Sequence, residues 1–133
     1  MSKVYYLAGR FDRKDELAGY ARQIEAAGGR VSSRWLTGVH DVASEQELTN
    51  EHLSEFAYDD LDDIGEADVF ILFTEEPSVG YTTGGRMVEF GYALNSNSFK
   101  RCYIIGPWEN IFTRLNECEQ YDTWADFAEA RGW

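Results

Sequence analysis

Short apolar runs alternate along this chain with longer segments whose apolar residues recur at helical spacing. The run DVFILF, Asp68 to Phe73, is almost continuously apolar, which is typical of a central parallel strand covered on both faces. Strands that alternate with helices favour a parallel sheet, because each connection between parallel strands must cross a face of that sheet. No repeat, low-complexity tract or linker interrupts the pattern. We therefore predict one domain over residues 1–133, an α/β doubly wound sheet of about five parallel strands with helices on both faces.

The elements follow from this alternation. Strands are predicted at Val4–Gly9, Arg30–Leu36, Asp68–Phe73 and Arg101–Gly106, with a short fifth strand near Tyr121. Helices are predicted at Asp15–Ala27, Glu45–Glu66, Arg86–Asn97 and Asn110–Asn116, and over the C-terminal DTWADFAEARGW. Ligands of such sheets collect beyond the carboxyl ends of the strands. The segments to inspect are therefore Gly9–Asp12, the loop Thr74–Gly85 and Gly106–Asn110.

Length and cysteine content set the protein class. The chain has 133 residues, of which 44% are apolar, enough for one domain with its own core. No apolar run reaches the roughly 18 to 20 residues of a membrane span, and the N-terminus lacks a signal-peptide core. We therefore expect a soluble, cytoplasmic protein with no membrane partner. Cys102 and Cys118 form no CxxC or Cys/His cluster, so we expect reduced, structural thiols and neither a metal nor another cofactor.

The formal net charge is -12. A field of this sign repels nucleic-acid backbones and anionic membranes at long range, so polymeric DNA or RNA is a poor candidate partner. A small anion such as a nucleotide remains possible, since an arginine and helix N-termini can bind it locally. The acidic excess is equally compatible with a simple role in solubility.

Asp60 lies in the middle of a predicted apolar stripe. On a helical wheel, the stripe consists of Leu53, Phe56, Ala57, Leu61 and Ile64, whereas the neighbouring aspartates point away or to its edge. A carboxylate that faces a core costs several kcal/mol unless it is hydrogen-bonded, paired or open to a pocket. Three interpretations follow: Asp60 lines a site, it caps a neighbouring loop, or the helix begins or kinks elsewhere.

Glu89 follows a glycine pair in GGRMVEFGYALN, Gly84 to Asn95. Glycines let a ligand or another backbone come close. The start of a helix also favours an ionised acid through the macrodipole. A carboxylate held ionised beside such a surface is a plausible nucleophile. Two other interpretations remain, a solvated helix residue and an ion pair with Arg86.

The ordered motifs VYYLAGR, DLDDIGEADVFILF, GGRMVEFGYAL, RCYIIG with GPWENIF, and YDTWADF cover nearly the whole chain. Together they resemble the nucleoside 2-deoxyribosyltransferase family, which includes the 2'-deoxynucleoside 5'-phosphate N-hydrolases. The resemblance implies a flavodoxin-like fold and cleavage of the N-glycosidic bond of a 2'-deoxynucleoside or its monophosphate. It also implies a homodimer or higher homo-oligomer, because family members complete each site with residues of a neighbouring subunit.

The resemblance implies three catalytic residues. Glu89 matches the glutamate that attacks the anomeric carbon and forms a deoxyribosyl ester, and Asp60 matches the aspartate that assists it. Tyr6 matches the tyrosine that hydrogen-bonds the nucleophile. The residue types suit the reaction, since a carboxylate can stabilise and then trap an oxocarbenium-like transition state. If water resolves the ester, the enzyme is a hydrolase, and if a second base does so, it is a transferase.

The substrate-binding predictions are less direct, because AGRF replaces the family's small-residue motif and the later loop is longer. Candidates for phosphate or substrate contact are Gly9, Arg10, Ser78, Gly85 and Asn110. Arg10 either binds a phosphate through its guanidinium fork or pairs with Asp12. Other possible base contacts are Glu75, Glu76 and Trp35, although a tryptophan that ends a strand is also a normal core residue.

Two other functions stay open at this point. The same fold could serve as a nucleotide-sensing module that binds without turnover. It could also support a glycosidase that acts on another nucleotide, such as a ribonucleotide.

Overall fold

The computed structural model describes residues 2–37, 50–77, 84–96 and 100–133. The strands are β1 Val4–Ala8, β2 Arg30–Val31, β3 Val69–Phe73, β4 Arg101–Ile105 and β5 Cys118–Tyr121. They form one sheet in the order β2-β1-β3-β4-β5, with each neighbouring pair parallel. The predicted five-stranded parallel sheet is thus confirmed, and its strand order is that of a flavodoxin-like sheet.

The α-helices are α1 Lys14–Ala26, α2 Asn50–Glu66, α3 Gly85–Leu94 and α4 Trp124–Arg131. Short 3-10 helices lie at Phe11–Arg13, Arg34–Thr37 and Ile111–Arg114, the last within the segment predicted as a helix at Asn110–Asn116. The N-terminal part of the predicted helix Glu45–Glu66 lies outside the described residues. None of the helices within the described ranges is long and apolar enough to cross a membrane.

Aromatic side chains of β3 show that helices cover both faces of the sheet. Phe70 stacks on Tyr6 and packs against Phe90 of α3. Phe73, three residues later, faces the other way and stacks on Tyr20 of α1 and Trp124 of α4. Successive strand residues alternate between faces. The helices α2 and α3 therefore cover one face, and α1 and α4 cover the other.

The predicted strand Arg30–Leu36 is wrong beyond its first two residues. After Val31 the chain stays beside β1 through side chains, since Ser33 Oγ accepts from Leu7 N at 2.8 Å. The indole Nε1 of Trp35 donates to Leu7 O at 2.9 Å. These bonds satisfy the backbone N–H and C=O of Leu7 at the edge of β1, while the chain after Val31 turns into a 3-10 helix. Trp35 is consequently a buried core residue.

The predicted buried stripe of α2 is only partly correct. Ile64 is fully buried and Leu61 half-buried, but Leu53 is 52% exposed and Ala57 is also exposed. The N-terminal half of α2 thus extends past the core. Asp63, predicted to point away from the stripe or to its edge, is instead buried at 4% exposure.

Candidate active site

Tyr6 is the fully buried residue at the base of the site. β1 directs its side chain to the face of the sheet that α2 and α3 cover, and stacking on Phe70 fixes its ring, with 5.6 Å between centroids. The Tyr6 hydroxyl donates a hydrogen bond to Glu89 Oε2. Burial, followed by the negative charges of Glu89 and Asp60, raises the pKa of Tyr6 well above its usual value. The phenol therefore remains a hydrogen-bond donor at neutral pH.

Glu89 begins the second turn of α3. The residue before this helix, Gly84, has a left-handed backbone conformation with φ of 82°. Burial raises the pKa of Glu89 to about 7, although the hydrogen bond from Tyr6 opposes this shift. The sequence predicted a carboxylate held ionised by the helix dipole. Burial opposes that preference, because it disfavours the charged form of the acid.

Asp60 extends from α2, which packs against α3. Burial, followed by the negative charge of Glu89, raises the pKa of Asp60 to about 7. Two acids that interact in this way titrate as a pair rather than independently. With a pKa near neutrality, each of the two acids can gain or lose a proton close to neutral pH, as general acid–base chemistry requires.

Asp63 is a third acid of the site that sequence reasoning missed. Its carboxylate accepts hydrogen bonds from Arg34 N at 3.0 Å and Arg34 Nε at 2.9 Å. The charge of Asp63 raises the pKa of both Asp60 and Glu89. Its position one turn after Asp60 was the available signal, since residues three apart lie on neighbouring parts of a helix surface.

The ion pair of Arg86 also differs from one interpretation of the sequence, because its partner is not Glu89. Its guanidinium forms a two-pronged ion pair with Glu109, with Nη1–Oε1 and Nη2–Oε2 distances of 2.7 and 2.5 Å. Glu109 Oε1 also accepts from Glu75 N at 2.7 Å. Glu109 was not predicted from the sequence. The pair joins the start of α3 to the segments that follow β3 and β4.

The predicted substrate-binding residues are spread around this edge of the sheet. Arg10 pairs with Asp12 at 2.9 Å, as the second interpretation proposed. Gly9 packs closely against α1, because an added Cβ would lie 2.9 Å from Leu17 Cδ2. Ser78 lies outside the described residues. Contact of these residues with a substrate stays a prediction.

Of the other two predicted substrate-binding residues, Gly85 is the first residue of α3 and Asn110 lies beside that helix. Gly85 is exposed at the start of the helix, and an added Cβ there would meet nothing within 4 Å. Asn110 caps the 3-10 helix that follows it, since its side chain accepts from Phe112 N and Thr113 N. Its Nδ2 lies 3.6 Å from Met87 Sδ, which places the amide beside the first turn of α3.

The two candidate base-reading glutamates border a cavity of ≈390 Å³ beside α1 and α4. Glu75 accepts from Arg13 Nη1 at 2.8 Å, whereas Glu76 is exposed. This cavity belongs to the face opposite the side chains of Tyr6 and Glu89. Among the described residues, no group of three or more His, Cys, Asp or Glu side chains could hold a metal ion.

No protein-family model and no curated protein matches the chain. Among solved structures, the fold is similar to that of the CMP N-glycosidase BcmB of Clostridium botulinum, with a TM-score of 0.56. The two proteins share 18% sequence identity over 98% of each chain. At this identity the likeness shows a shared fold, and it confirms the predicted α/β, flavodoxin-like class.

Proposed function

We propose that this chain cleaves or transfers the N-glycosidic bond of 2'-deoxynucleosides or their 5'-monophosphates. The observation that carries the proposal is the hydrogen bond from the Tyr6 hydroxyl to the Glu89 carboxylate. The charge of Glu89 also raises the pKa of Asp60, so the two acids lie near each other. The fold shared with a CMP N-glycosidase supports the same class of reaction.

In this mechanism, ionised Glu89 attacks the anomeric carbon as the bond to the base breaks. The leaving base takes the bonding electron pair and receives a proton from Asp60. Tyr6 holds the attacking carboxylate by its hydrogen bond. A deoxyribosyl ester of Glu89 results.

The second step reverses these roles. Water or a second base attacks the anomeric carbon, the ester bond breaks, and Glu89 leaves as a carboxylate. Asp60 accepts the proton of the attacking group, which restores the starting state. No redox change occurs in either step.

Chromatography of the products tests the proposal. The protein is incubated with each 2'-deoxynucleoside and each 5'-monophosphate, with and without a second free base. We expect base release that Glu89→Ala abolishes and that Glu129→Ala, a change at an exposed glutamate of α4, leaves intact. A new nucleoside formed only with added base would identify a transferase. Full activity of Glu89→Ala would exclude the proposed nucleophile.

A ribonucleotide glycosidase is the second candidate, and the CMP N-glycosidase with the same fold favours it. Ribonucleoside monophosphates in the same incubations separate the two candidates, since a pocket specific for deoxyribose should exclude the 2'-hydroxyl. Tight nucleotide binding without base release from any substrate would instead support the sensing module.

A further inference from the structure

We propose that the Arg86–Glu109 ion pair positions the nucleophilic Glu89 by fixing the first turn of α3 to the carboxyl ends of β3 and β4. The proposal rests on the function proposed above, and it concerns two residues that act through Glu89. Arg86 and Glu109 are therefore positioning residues.

Burial along α3 shows why its first turn needs an anchor. Phe90 and Ala93 bury the later turns against the sheet. Within Gly85–Val88, by contrast, Arg86 is the one buried residue, and the preceding glycine pair has no side chains that could pack. Met87 is half-buried against the core, so it shares the placement of this turn with Arg86. Arg86 supplies the charged contact that ties the turn to Glu109.

The partner of Arg86 is itself held in place. Glu109 N donates to Thr113 Oγ1 at 3.0 Å, and the Glu109 carboxylate accepts from Glu75 N as well as from Arg86. Glu75 in turn forms an ion pair with Arg13, immediately before α1. This network links the strand ends to α3 through charged hydrogen bonds, which are shorter and more directional than neutral ones.

Stability alone does not explain this choice of residues. The Arg86 side chain is only 3% exposed, and removal of a charge from water commonly cancels the attraction within a buried pair. Arg86 Nε is also buried without a hydrogen-bond partner in the described part of the chain. An apolar residue would bury the same position at lower cost. The ion pair adds a fixed orientation of the Arg86 side chain relative to Glu109, because Nη1 and Nη2 each bond a different carboxylate oxygen.

The test compares three variants with a matched control. Glu109→Gln removes the negative charge of Glu109 but keeps an acceptor for Glu75 N. Arg86→Met removes the guanidinium group. The double variant Arg86→Met/Glu109→Gln leaves no unpaired charge. Glu66→Gln is the control, since it breaks an exposed ion pair with Arg30 at 3.2 Å.

Two measurements are made on each variant. The first is turnover, and we expect kcat to fall about 10- to 100-fold in Glu109→Gln and in the double variant, the loss typical of a misplaced reacting group, with KM unchanged. The second is an NMR titration of protein labelled at the glutamate carboxyl carbons, with the Glu89 signal identified by its loss in Glu89→Gln. We expect the Glu89 pKa to fall towards its usual value in both variants, as looser packing admits water.

The double variant separates positioning from stability. We expect its melting temperature to return to within a few degrees of wild type, while kcat stays low. Recovery of kcat together with melting temperature would overturn the proposal. The proposal would also be overturned if Glu109→Gln had the same Glu89 pKa and the same kcat as the control Glu66→Gln.

The two proposals fail in different ways. If the wild type releases no base from any substrate, the proposed function fails. The titration still decides the positioning role, because it needs no turnover. An unchanged Glu89 pKa in all three variants would then refute that role, and a lowered pKa would support it.

Discussion

At the scale of single residues, Glu89 is costly to the fold. Its pKa of about 7 lies above the ordinary value of 4.5 because burial disfavours the charged form. As pH rises from 4.5 to 7, the unfolded chain loses this proton and the folded protein retains it. The wild type therefore loses stability over this interval, and the loss is complete above the folded pKa.

Glu89→Gln should remove this cost. We expect the gain in stability of the variant over wild type to be about 2.5 kcal/mol larger at about pH 8 than at about pH 5, as judged from the pKa difference. Urea unfolding at both pH values measures the effect, with Glu129→Gln as an exposed control. A gain of equal size at both pH values would contradict the explanation by ionisation.

Tyr6→Phe tests the hydrogen bond to the nucleophile. Without this donor the pKa of Glu89 should rise further, since the bond from Tyr6 now lowers it. We expect kcat at neutral pH to fall about tenfold or more, as for loss of a hydrogen bond to a charged group, and the acidic limb of the pH–rate profile to move to higher pH. Tyr20→Phe is a matched control, because Tyr20 also donates to a glutamate, Glu16, but on the opposite face of the sheet. Equal profiles for the two variants would refute the role of Tyr6.

At the scale of elements, Asp63 connects α2 to the 3-10 helix that begins at Arg34. Its negative charge raises the pKa of both Asp60 and Glu89. Asp63→Asn should therefore move both limbs of the pH–rate profile to lower pH, with the acceptor for Arg34 N retained. Asp62→Asn removes the same charge from an exposed position of α2 and should leave the profile in place. Profiles measured from about pH 5 to 9 decide between these outcomes.

The same elements show what a sequence can predict. The apolar run of β3 identified the central strand almost to the residue, because burial on both faces leaves a continuous signal. The Asp63–Arg34 and Arg86–Glu109 contacts span 29 and 23 residues, respectively. Such pairs have no local periodicity, so neither was predicted. β2 was predicted too long, because the side chains of Ser33 and Trp35 replace backbone pairing after Val31.

At the scale of the whole molecule, the expected homo-oligomer remains a prediction, and the face of the sheet that carries Glu89 is its natural location. The helices that cover this face expose large apolar side chains, Leu53 and Tyr58 on α2 and Val88 and Tyr92 on α3. A second copy that covered them would remove this apolar area from water. It would also bring residues of another subunit next to α3.

Sedimentation of wild type and variants tests this arrangement. We expect the wild type to sediment as a dimer or larger assembly, and Leu53→Asp to shift it towards monomer, because a buried unpaired charge is costly at an interface. Ile111→Asp places the same charge on a side chain that is 77% exposed outside both helices, and it should leave the assembly intact. A monomeric wild type with full turnover would show that one chain completes the site. Loss of turnover in Leu53→Asp in proportion to dissociation would show that the site needs the second copy.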